Sequence, residues 1–211
     1  LFSLSGNLRG RALWAAWITG VSLVLLFVYW SVVARLVLFM VPPLVFALAE
    51  ALEARWDDER LLRLQRLSLV LVGLLTVGLS VVDFRYASAQ KEVAGFVSAR
   101  YGDRRLWCAS HWGLQYYMEK VAARDLDRAR GGWDEVRQGD VVVLSKVNAN
   151  VLRPVHPILA RAQTITVDSA IPLRLMSAGE SDAGFYTNMM GFLPYSLSRE
   201  PLDEFSIVEA L

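Results

Sequence analysis

The chain has 211 residues, of which 55% are hydrophobic and 20% are charged, and its mean hydropathy is +0.35. Soluble domains usually contain about a quarter charged residues. The shortage lies in residues 1–83, which carry 13 charged side chains, whereas residues 84–211 carry 30, half of them basic and half acidic. The composition therefore predicts a membrane region followed by a globular domain. Because the net charge is only +1, no broad basic surface exists and no nucleic-acid partner is expected.

Apolar segments in the first region predict three membrane-spanning helices, over residues 12–30, 36–52 and 67–83. The first would cover about 28 Å as a helix, close to the thickness of the bilayer core. The second contains Pro42 and Pro43, which membrane helices tolerate, and its alternative is a re-entrant segment that enters and leaves on one side. The third is short, but Arg66 can extend its side chain to the headgroups. A cleaved signal peptide is not expected, because further apolar segments follow the first one.

The arginines of the first region predict its orientation. Two precede the first span and four lie between the second and third, whereas the turn between the first two contains only Arg35. Since basic loops stay in the cytoplasm, residues 84–211 are expected on the opposite, extracytoplasmic side. We therefore expect a multi-pass protein of the bacterial inner (plasma) membrane.

Arg35 has two interpretations, because it stands beside an apolar segment and shortly before the proline pair. It is either an interfacial arginine that reaches lipid phosphates, or a guanidinium that faces a water-filled cavity and binds an anionic group. The planar guanidinium suits a phosphate ligand.

The second region has the pattern of a small α/β domain. We predict helices over residues 86–100 and 112–121 and strands over residues 106–109, 141–144, 164–167, 171–175 and 205–208. The strand over residues 141–144 is expected to be buried on both faces. The strands over 164–167 and 171–175 are expected to pair around the short connection between them.

Polar side chains that could take part in binding or proton transfer follow the first predicted strand. His111, Gln115 and Glu119 are spaced by four residues, so they share one face if all three are helical. His111 and Glu119 could then exchange protons and Gln115 could orient a sugar hydroxyl. Ligands of open α/β sheets usually bind at the carboxyl ends of strands, where this segment begins. These three residues are candidate substrate-binding residues.

The same segment also permits a packing role, which we favour. In this interpretation the aromatic rings of Trp112, Tyr116 and Tyr117 pack the domain onto the membrane region, and His111 caps the helix. Tyr117 is then a core residue.

Metal and cofactor motifs are not found in the sequence. Cys108 is the single cysteine, which excludes an intramolecular disulfide, and together with His111 it makes only half of a metal-site spacing. No glycine-rich phosphate loop or nucleophile elbow occurs. We therefore expect no metal site and name no cofactor, and the need for a divalent cation stays open.

Short motifs in both regions carry a family resemblance. Residues 34–43 read ARLVLFMVPP, and later segments read SHWG at 110–113, YYME at 116–119, GFY at 184–186 and LPY at 193–195. They resemble bacterial polytopic glycosyltransferases of the GT-C type related to protein mannosyltransferases and aminoarabinose transferases. Those enzymes often have tyrosine and an earlier proline where this chain has Leu36 and Phe39.

The resemblance implies transfer of a sugar from a polyprenyl-phosphate donor to a lipid or polysaccharide acceptor at the outer membrane face. In that family the acidic catalytic residue lies in the first extracytoplasmic loop. The present chain begins at Leu1 without such a loop, so it is expected to be a C-terminal portion that has no catalytic residue of its own. Arg35 is the candidate for the donor-phosphate region. The alternative function is a non-catalytic, membrane-tethered domain for binding or assembly.

Overall fold

The structure is a computed structural model that describes residues 4–28, 34–110, 112–126, 132–147, 159–176, 183–186 and 193–211. It contains two compact units. The first comprises Leu1–Leu79 and Asp182–Ser196, and the second comprises Ser80–Ser181 and Leu197–Leu211. The units interleave along the chain, whereas the prediction divided it once, between residues 83 and 84.

The first unit is mainly helical. It contains α1 (Leu4–Phe27), α2 (Ala34–Val37), α3 (Val41–Glu53) and the beginning of α4 (Asp58–Tyr101), which continues into the second unit. A 3-10 turn, Leu38–Met40, joins α2 to α3. Pro42 and Pro43 lie in the first turn of α3, where a missing N–H removes no hydrogen bond of the helix. The predicted second span is therefore divided among a short helix, a turn and α3.

Two of these helices are long and apolar enough to cross a membrane, α1 over Gly10–Phe27 and α4. Most of their apolar side chains are exposed, and Leu69 and Leu74 of α4 each expose 67% of their surface. α3 has 13 residues, fewer than the roughly 20 that a spanning helix needs. Length and composition thus support two of the three predicted segments as candidate spans.

The second unit contains a five-stranded mixed sheet in the order β2-β1-β3-β5-β4. Its strands are β1 (Leu106–Ala109), β2 (Arg124–Asp125), β3 (Val141–Ser145), β4 (Leu159–Val167) and β5 (Asp203–Ala210). β1 is parallel to both β2 and β3, whereas β5 is antiparallel to both β3 and β4. The predicted combination of apolar helices with an α/β domain is confirmed at this level.

The helix α5 (Gly113–Lys120) follows β1 and lies against β1 and β2. It buries Leu114 and Met118, which stand one turn apart. One face of the sheet carries an apolar cluster of Trp107, Ala109, Leu126, Val142 and Val208. In α4, the residues after Leu79 bury a stripe that includes Ala89, Val93 and Val97. The core of this unit is therefore built from the sheet and from the buried faces of its helices.

Several predicted elements are confirmed. The strands over residues 106–109, 141–144 and 205–208 correspond to β1, β3 and β5, and β3 is almost entirely buried, as its continuous apolar run predicted. The helix over residues 112–121 corresponds to α5. The helix over 86–100 is present as the last part of α4, which runs without a break from Asp58 to Tyr101.

The predicted hairpin of residues 164–167 and 171–175 is wrong. β4 pairs with β5 instead, with Val167 opposite Asp203 and Thr164 opposite Ser206. Residues 171–175 form no strand, and Pro172 among them has no N–H to donate to a ladder. The guanidinium of Arg174 donates hydrogen bonds to the carbonyl oxygens of Ile171 and Leu173.

Candidate functional site

The carboxyl ends of β1 and β3 lie at an edge of the sheet where the chain reverses its strand order. From β1 the chain runs through α5 to β2 on one side, and β3 then pairs on the other side of β1. Ligands of open α/β sheets bind at such reversals. The expectation that the His111–Glu119 segment begins at the carboxyl end of a strand is confirmed, because α5 follows β1 directly at this edge.

The start of α5, Trp112 and Gly113, follows β1 closely and has a strained backbone; we call these two residues the β1–α5 elbow. Trp112 has φ 59° and ψ −112°, a backbone conformation that costs a bulky residue about 1–3 kcal/mol. The next residue is glycine, and a Cβ at Gly113 would lie 1.9 Å from Oε1 of the buried Gln90 on α4, so a larger residue would require the Gln90 side chain to shift. The start of α5 therefore lies close to the Gln90 side chain of α4.

Two aromatic rings are exposed here, that of Trp112 in the elbow and that of Tyr116 in α5. Trp112 is 47% exposed and Tyr116, one turn later, is 53% exposed. The Lys120 ammonium lies 4.2 Å from the centre of the Tyr116 ring, and Tyr117 meets the same ring edge-on at 5.2 Å. Trp112 and Tyr116 therefore contribute little to the core of the second unit, and Tyr117 is half-buried. Leu114 and Met118 fill the core in their place. The packing of these rings onto the membrane region stays a prediction.

Gln115 and Glu119 lie one turn apart on α5, as their spacing predicted. The Gln115 amide Nε2 donates a hydrogen bond of 2.9 Å to Glu119 Oε1. Both side chains lie on the helix that also carries the exposed ring of Tyr116. Their role in binding substrate stays a prediction.

The other two sequence-predicted site residues lie beyond what the structure describes. His111 is outside the described residues, so its geometry with Glu119 and its proposed capping role stay predictions. The backbone of Arg35 belongs to α2, but its side chain is outside the described part. The structure therefore brings together Gln115 and Glu119 alone among the four candidates.

A buried acidic residue at the same edge was missed by sequence reasoning. Asp203, the first residue of β5, is fully buried and accepts a hydrogen bond of 2.7 Å from Ser145 Oγ at the end of β3. Its carboxylate also accepts backbone N–H groups of Lys146, Val147 and Glu204. Burial raises the pKa of Asp203 to about 6, although these hydrogen bonds act in the opposite direction. A carboxyl group that joins the ends of two strands stabilises the edge of the sheet.

Ser110 is a second polar group at this edge. Ala109 pairs with Leu144, so the register places Ser110 next to Ser145 on the adjacent strand. Ser110 is 2% exposed, and its Oγ has no hydrogen-bond partner among the described residues. Since buried hydroxyls are usually paired, this one is an unusual feature of the β1–α5 connection.

Cys108 is chemically inert in this environment. It is buried within β1, and burial followed by the negative charge of Asp125 raises its pKa to about 12. The thiol therefore stays protonated at neutral pH and is a poor nucleophile and metal ligand. Within the described ranges, no group of three or more His, Cys, Asp and Glu side chains could hold a metal ion.

Arg174 is a buried cation that the sequence did not single out. Its guanidinium donates to the carbonyl oxygens of Glu200 at 2.6 Å, Ile171 at 2.8 Å and Leu173 at 2.7 Å. Burial lowers its pKa, and the nearby Asp168 and Glu200 oppose that change. The side chain thus ties the segment after β4 to the segment before β5, which is a structural role.

Comparison with known proteins adds no relative, because no protein-family model, curated protein or solved structure matches the chain. The glycosyltransferase resemblance of the short motifs therefore stays a prediction.

Proposed function

We propose that the chain is the C-terminal part of an integral-membrane glycosyltransferase. The enzyme would transfer a sugar from a polyprenyl-phosphate donor to a lipid or polysaccharide acceptor at the outer membrane face. The motif resemblance supports the family, and one structural observation carries the proposal: α4 joins an exposed apolar stretch to a stretch that belongs to an α/β unit. A membrane enzyme with an extramembrane domain needs such a connection.

The two stretches of α4 differ in the surface that they bury. Leu69, Val72 and Leu74 in the first stretch each expose 60% or more of their surface. From Val82 onward the helix buries one apolar stripe and exposes charged residues such as Lys91 and Glu92. The first pattern suits lipid on all sides, and the second suits a helix that covers a water-exposed domain.

The proposal includes three spans and a defined orientation. α1, the segment from α2 through α3, and the apolar part of α4 would cross the membrane. Arg60, Arg63 and Arg66 near the start of α4 would remain in the cytoplasm, so the α/β unit would be extracytoplasmic.

The proposal assigns substrate contacts to individual side chains according to their charge and polarity. Arg35 would contact the donor phosphate, since its fixed planar charge suits that group. The rings of Trp112 and Tyr116 would stack on the apolar C–H face of a sugar, and Gln115 and Glu119 would bond to its hydroxyls. Rigid aromatic surfaces next to a few polar groups are typical of sites for small polar ligands. The acidic catalytic residue lies outside this chain in the proposal.

A second candidate function is a non-catalytic, membrane-tethered domain for binding or assembly. It is favoured by the exposed rings of Trp112 and Tyr116, which offer an aromatic surface for a ligand or partner.

The test is a transfer assay on the full-length membrane protein with a radiolabelled polyprenyl-phosphate sugar. We expect transfer by the full-length protein and none by the 211-residue chain alone. Arg35→Ala should weaken donor use, whereas the control Arg63→Ala, an exposed residue paired with Glu59, should not. Transfer by the chain alone would contradict the proposed division of the enzyme. Absence of transfer by the full-length protein, at normal expression, would favour the binding domain.

Reporter fusions test the orientation separately. A reporter that is active only in the cytoplasm should work when it is inserted near Arg60 and fail when it is fused at Leu211. The opposite result would reverse the proposed topology.

A further inference from the structure

The carboxyl edge of the sheet in the second unit lies toward the apolar end of α4. The Arg104 N–H donates to the carbonyl oxygen of Tyr101, the last residue of α4, and the Arg104 guanidinium lies 5.9 Å from the centre of the Tyr101 ring. β1 begins two residues later, and shortly after its end Gly113 lies close to Gln90. Gln90 precedes Tyr101 by about three helical turns. β1 therefore runs back along α4, and its carboxyl end is nearer to the apolar stretch than its start.

A second contact gives the same direction. Leu202, the residue before β5, lines a small cavity together with Val82 and Tyr86 of α4. β5 is antiparallel to β3, with Phe205 opposite Ser145, so the start of β5 belongs to the carboxyl edge of the sheet. The part of α4 that meets this edge therefore lies within the first turns after its exposed apolar stretch.

Spacing along α4 gives the height of the β1–α5 elbow above the membrane. Phe84, 76% exposed, is the last exposed large apolar residue of α4, and Arg85 after it forms an exposed ion pair with Glu92. The hydrocarbon boundary of a membrane-embedded α4 would therefore lie near Phe84. Gln90, next to the elbow, stands six residues further on, about 9 Å along the helix axis. Since each headgroup layer is about 5–8 Å thick, the elbow would lie at the outer side of this layer.

The elbow carries a side chain that suits this level. Trp112 is 47% exposed, and its φ of 59° is a conformation that glycine adopts more easily. An indole, with an apolar body and one N–H, is typical of the membrane–water interface. α5 then leads away from the edge, because the next strand, β2, is parallel to β1. Tyr116 follows one turn later with the Lys120 ammonium 4.2 Å from its ring centre, so polarity increases with distance from the edge.

We propose that Trp112 anchors the second unit to the headgroup layer of the membrane that holds α4. The indole lies among the lipid headgroups, whereas Tyr116 and Lys120 lie at the aqueous side of the layer, where the hydroxyl and the ammonium can donate to lipid phosphates. The inference rests on the membrane embedding of the proposed function, and not on glycosyl transfer. The sugar of a polyprenyl-phosphate donor would lie at the same level, so it could replace a lipid headgroup at these rings during transfer.

The test is tryptophan fluorescence of the 211-residue chain in phosphatidylcholine vesicles. One set of vesicles contains a lipid with a nitroxide on its headgroup, and a second set contains a lipid brominated near the end of its acyl chains. The emission of Trp112 is the difference between the wild-type chain and Trp112→Phe, which keeps a ring at this position. We expect the headgroup nitroxide to quench this emission several-fold more strongly than the bromines do.

Trp133→Phe supplies the matched control. Trp133 is half-buried in the turn Gly132–Glu135, and the Glu135 carbonyl oxygen accepts a hydrogen bond of 3.2 Å from Arg105, which directly precedes β1 at its far end. Neither lipid should quench its emission. Quenching of Trp112 no stronger than that of Trp133 would overturn the proposal. Protection of Trp112 both from the lipid quenchers and from iodide in the water would show that protein covers the ring, which also overturns it.

A third variant separates failure of the anchor from failure of the membrane proposal. Leu71→Trp places an indole in the apolar stretch of α4, at a side chain that is 56% exposed. The chain-end bromines should quench its added emission. If they do and the headgroup nitroxide leaves Trp112 unquenched, the anchor alone is contradicted. If neither tryptophan is quenched by lipid, the membrane embedding is contradicted together with the anchor that depends on it.

Discussion

The apolar stretch of α4 and strand β3 contain the same kinds of residue in opposite surroundings. Val70 and Val72 of α4 expose 59% and 60% of their surface, whereas Val142 and Val143 of β3 expose none. Burial of apolar surface contributes about 25 cal/mol per Å² to stability. The valines of β3 therefore contribute hydrophobic stabilisation within the protein, whereas the exposed valines of α4 do not. Large contiguous exposed apolar surfaces mark interaction sites or membrane contacts. The comparison indicates that the first unit obtains its apolar environment from outside the described chain.

The largest expected effect comes from core truncation in the second unit. Phe205→Ala in β5 removes a fully buried ring and should lower the free energy of unfolding by about 3–5 kcal/mol. Leu71→Ala in α4, where the side chain is 56% exposed, should cost less than about 1 kcal/mol in detergent. Denaturant unfolding, followed by hydrogen exchange of the β3 and β5 amides, measures both. A Leu71 variant as unstable as the Phe205 variant would break the comparison, because protein would then cover that face of α4.

The buried carboxyl group of Asp203 should make the free energy of unfolding of the second unit depend on pH. Burial raises the pKa of Asp203 from 3.8 to about 6, so the folded state binds more protons than the unfolded state between these values. The contribution of Asp203 to the free energy of unfolding should therefore fall by about 3 kcal/mol as the pH rises from about 4 to about 6. Asp203→Asn should remove this slope while its amide still pairs with Ser145. The exposed control Asp103→Asn should retain the slope, and equal slopes in all three proteins would exclude Asp203 as its source.

A smaller effect is expected at the β1–α5 elbow. Gly113→Ala places a Cβ within 1.9 Å of Gln90 Oε1 and should destabilise the second unit by about 1–2 kcal/mol. In a Gln90→Ala background the same change should cost at least about 1 kcal/mol less, because the clash is gone. Gly95→Ala is the matched control. A Cβ there meets nothing within 4 Å in the middle of α4, so that variant should gain about 0.5–1 kcal/mol. Additive costs of Gly113→Ala and Gln90→Ala in thermal unfolding would show that the two residues are not in contact.

The smallest effect on stability is expected on the exposed face of α5. The double variant Gln115→Ala, Glu119→Gln removes one exposed hydrogen bond and should change the free energy of unfolding by less than about 1 kcal/mol. If these residues bind substrate, transfer by the full-length enzyme should nevertheless fall markedly. Normal transfer at normal protein levels would remove both residues from the site and leave the second unit a purely structural domain.

Much of the secondary structure could be predicted because it depends on local patterns. Four adjacent apolar β-formers predicted β3, and helical spacing predicted α5 together with the adjacency of Gln115 and Glu119. The hairpin failed because the nearest apolar run in sequence is not the partner in space. β4 ends at Val167 and pairs with β5, which begins only at Asp203. Pro172 lies in the segment that was expected to pair.

The candidate site was less predictable than the elements that carry it. The hydrogen bond of Ser145 to Asp203 links residues 58 positions apart, and no local spacing connects them. The exposure of Trp112 and its positive φ were not predicted, because its residue type alone favoured burial. The hydrogen bond of Trp14 to Glu50 likewise depends on the packing of α1 against α3, and no local spacing connects the two residues.

The amino-acid sequence by itself determined where apolar surface is concentrated, which segments form helices or strands, and which residues of α5 share a face, because these properties depend on composition and on periods of 3.6 and 2 residues. The tertiary structure decided which strands pair, which polar groups become buried and which aromatic rings remain exposed. Those outcomes depend on contacts between residues far apart in the chain, such as β3 with β5 and Trp14 with Glu50. Local periodicity carries no information about such contacts.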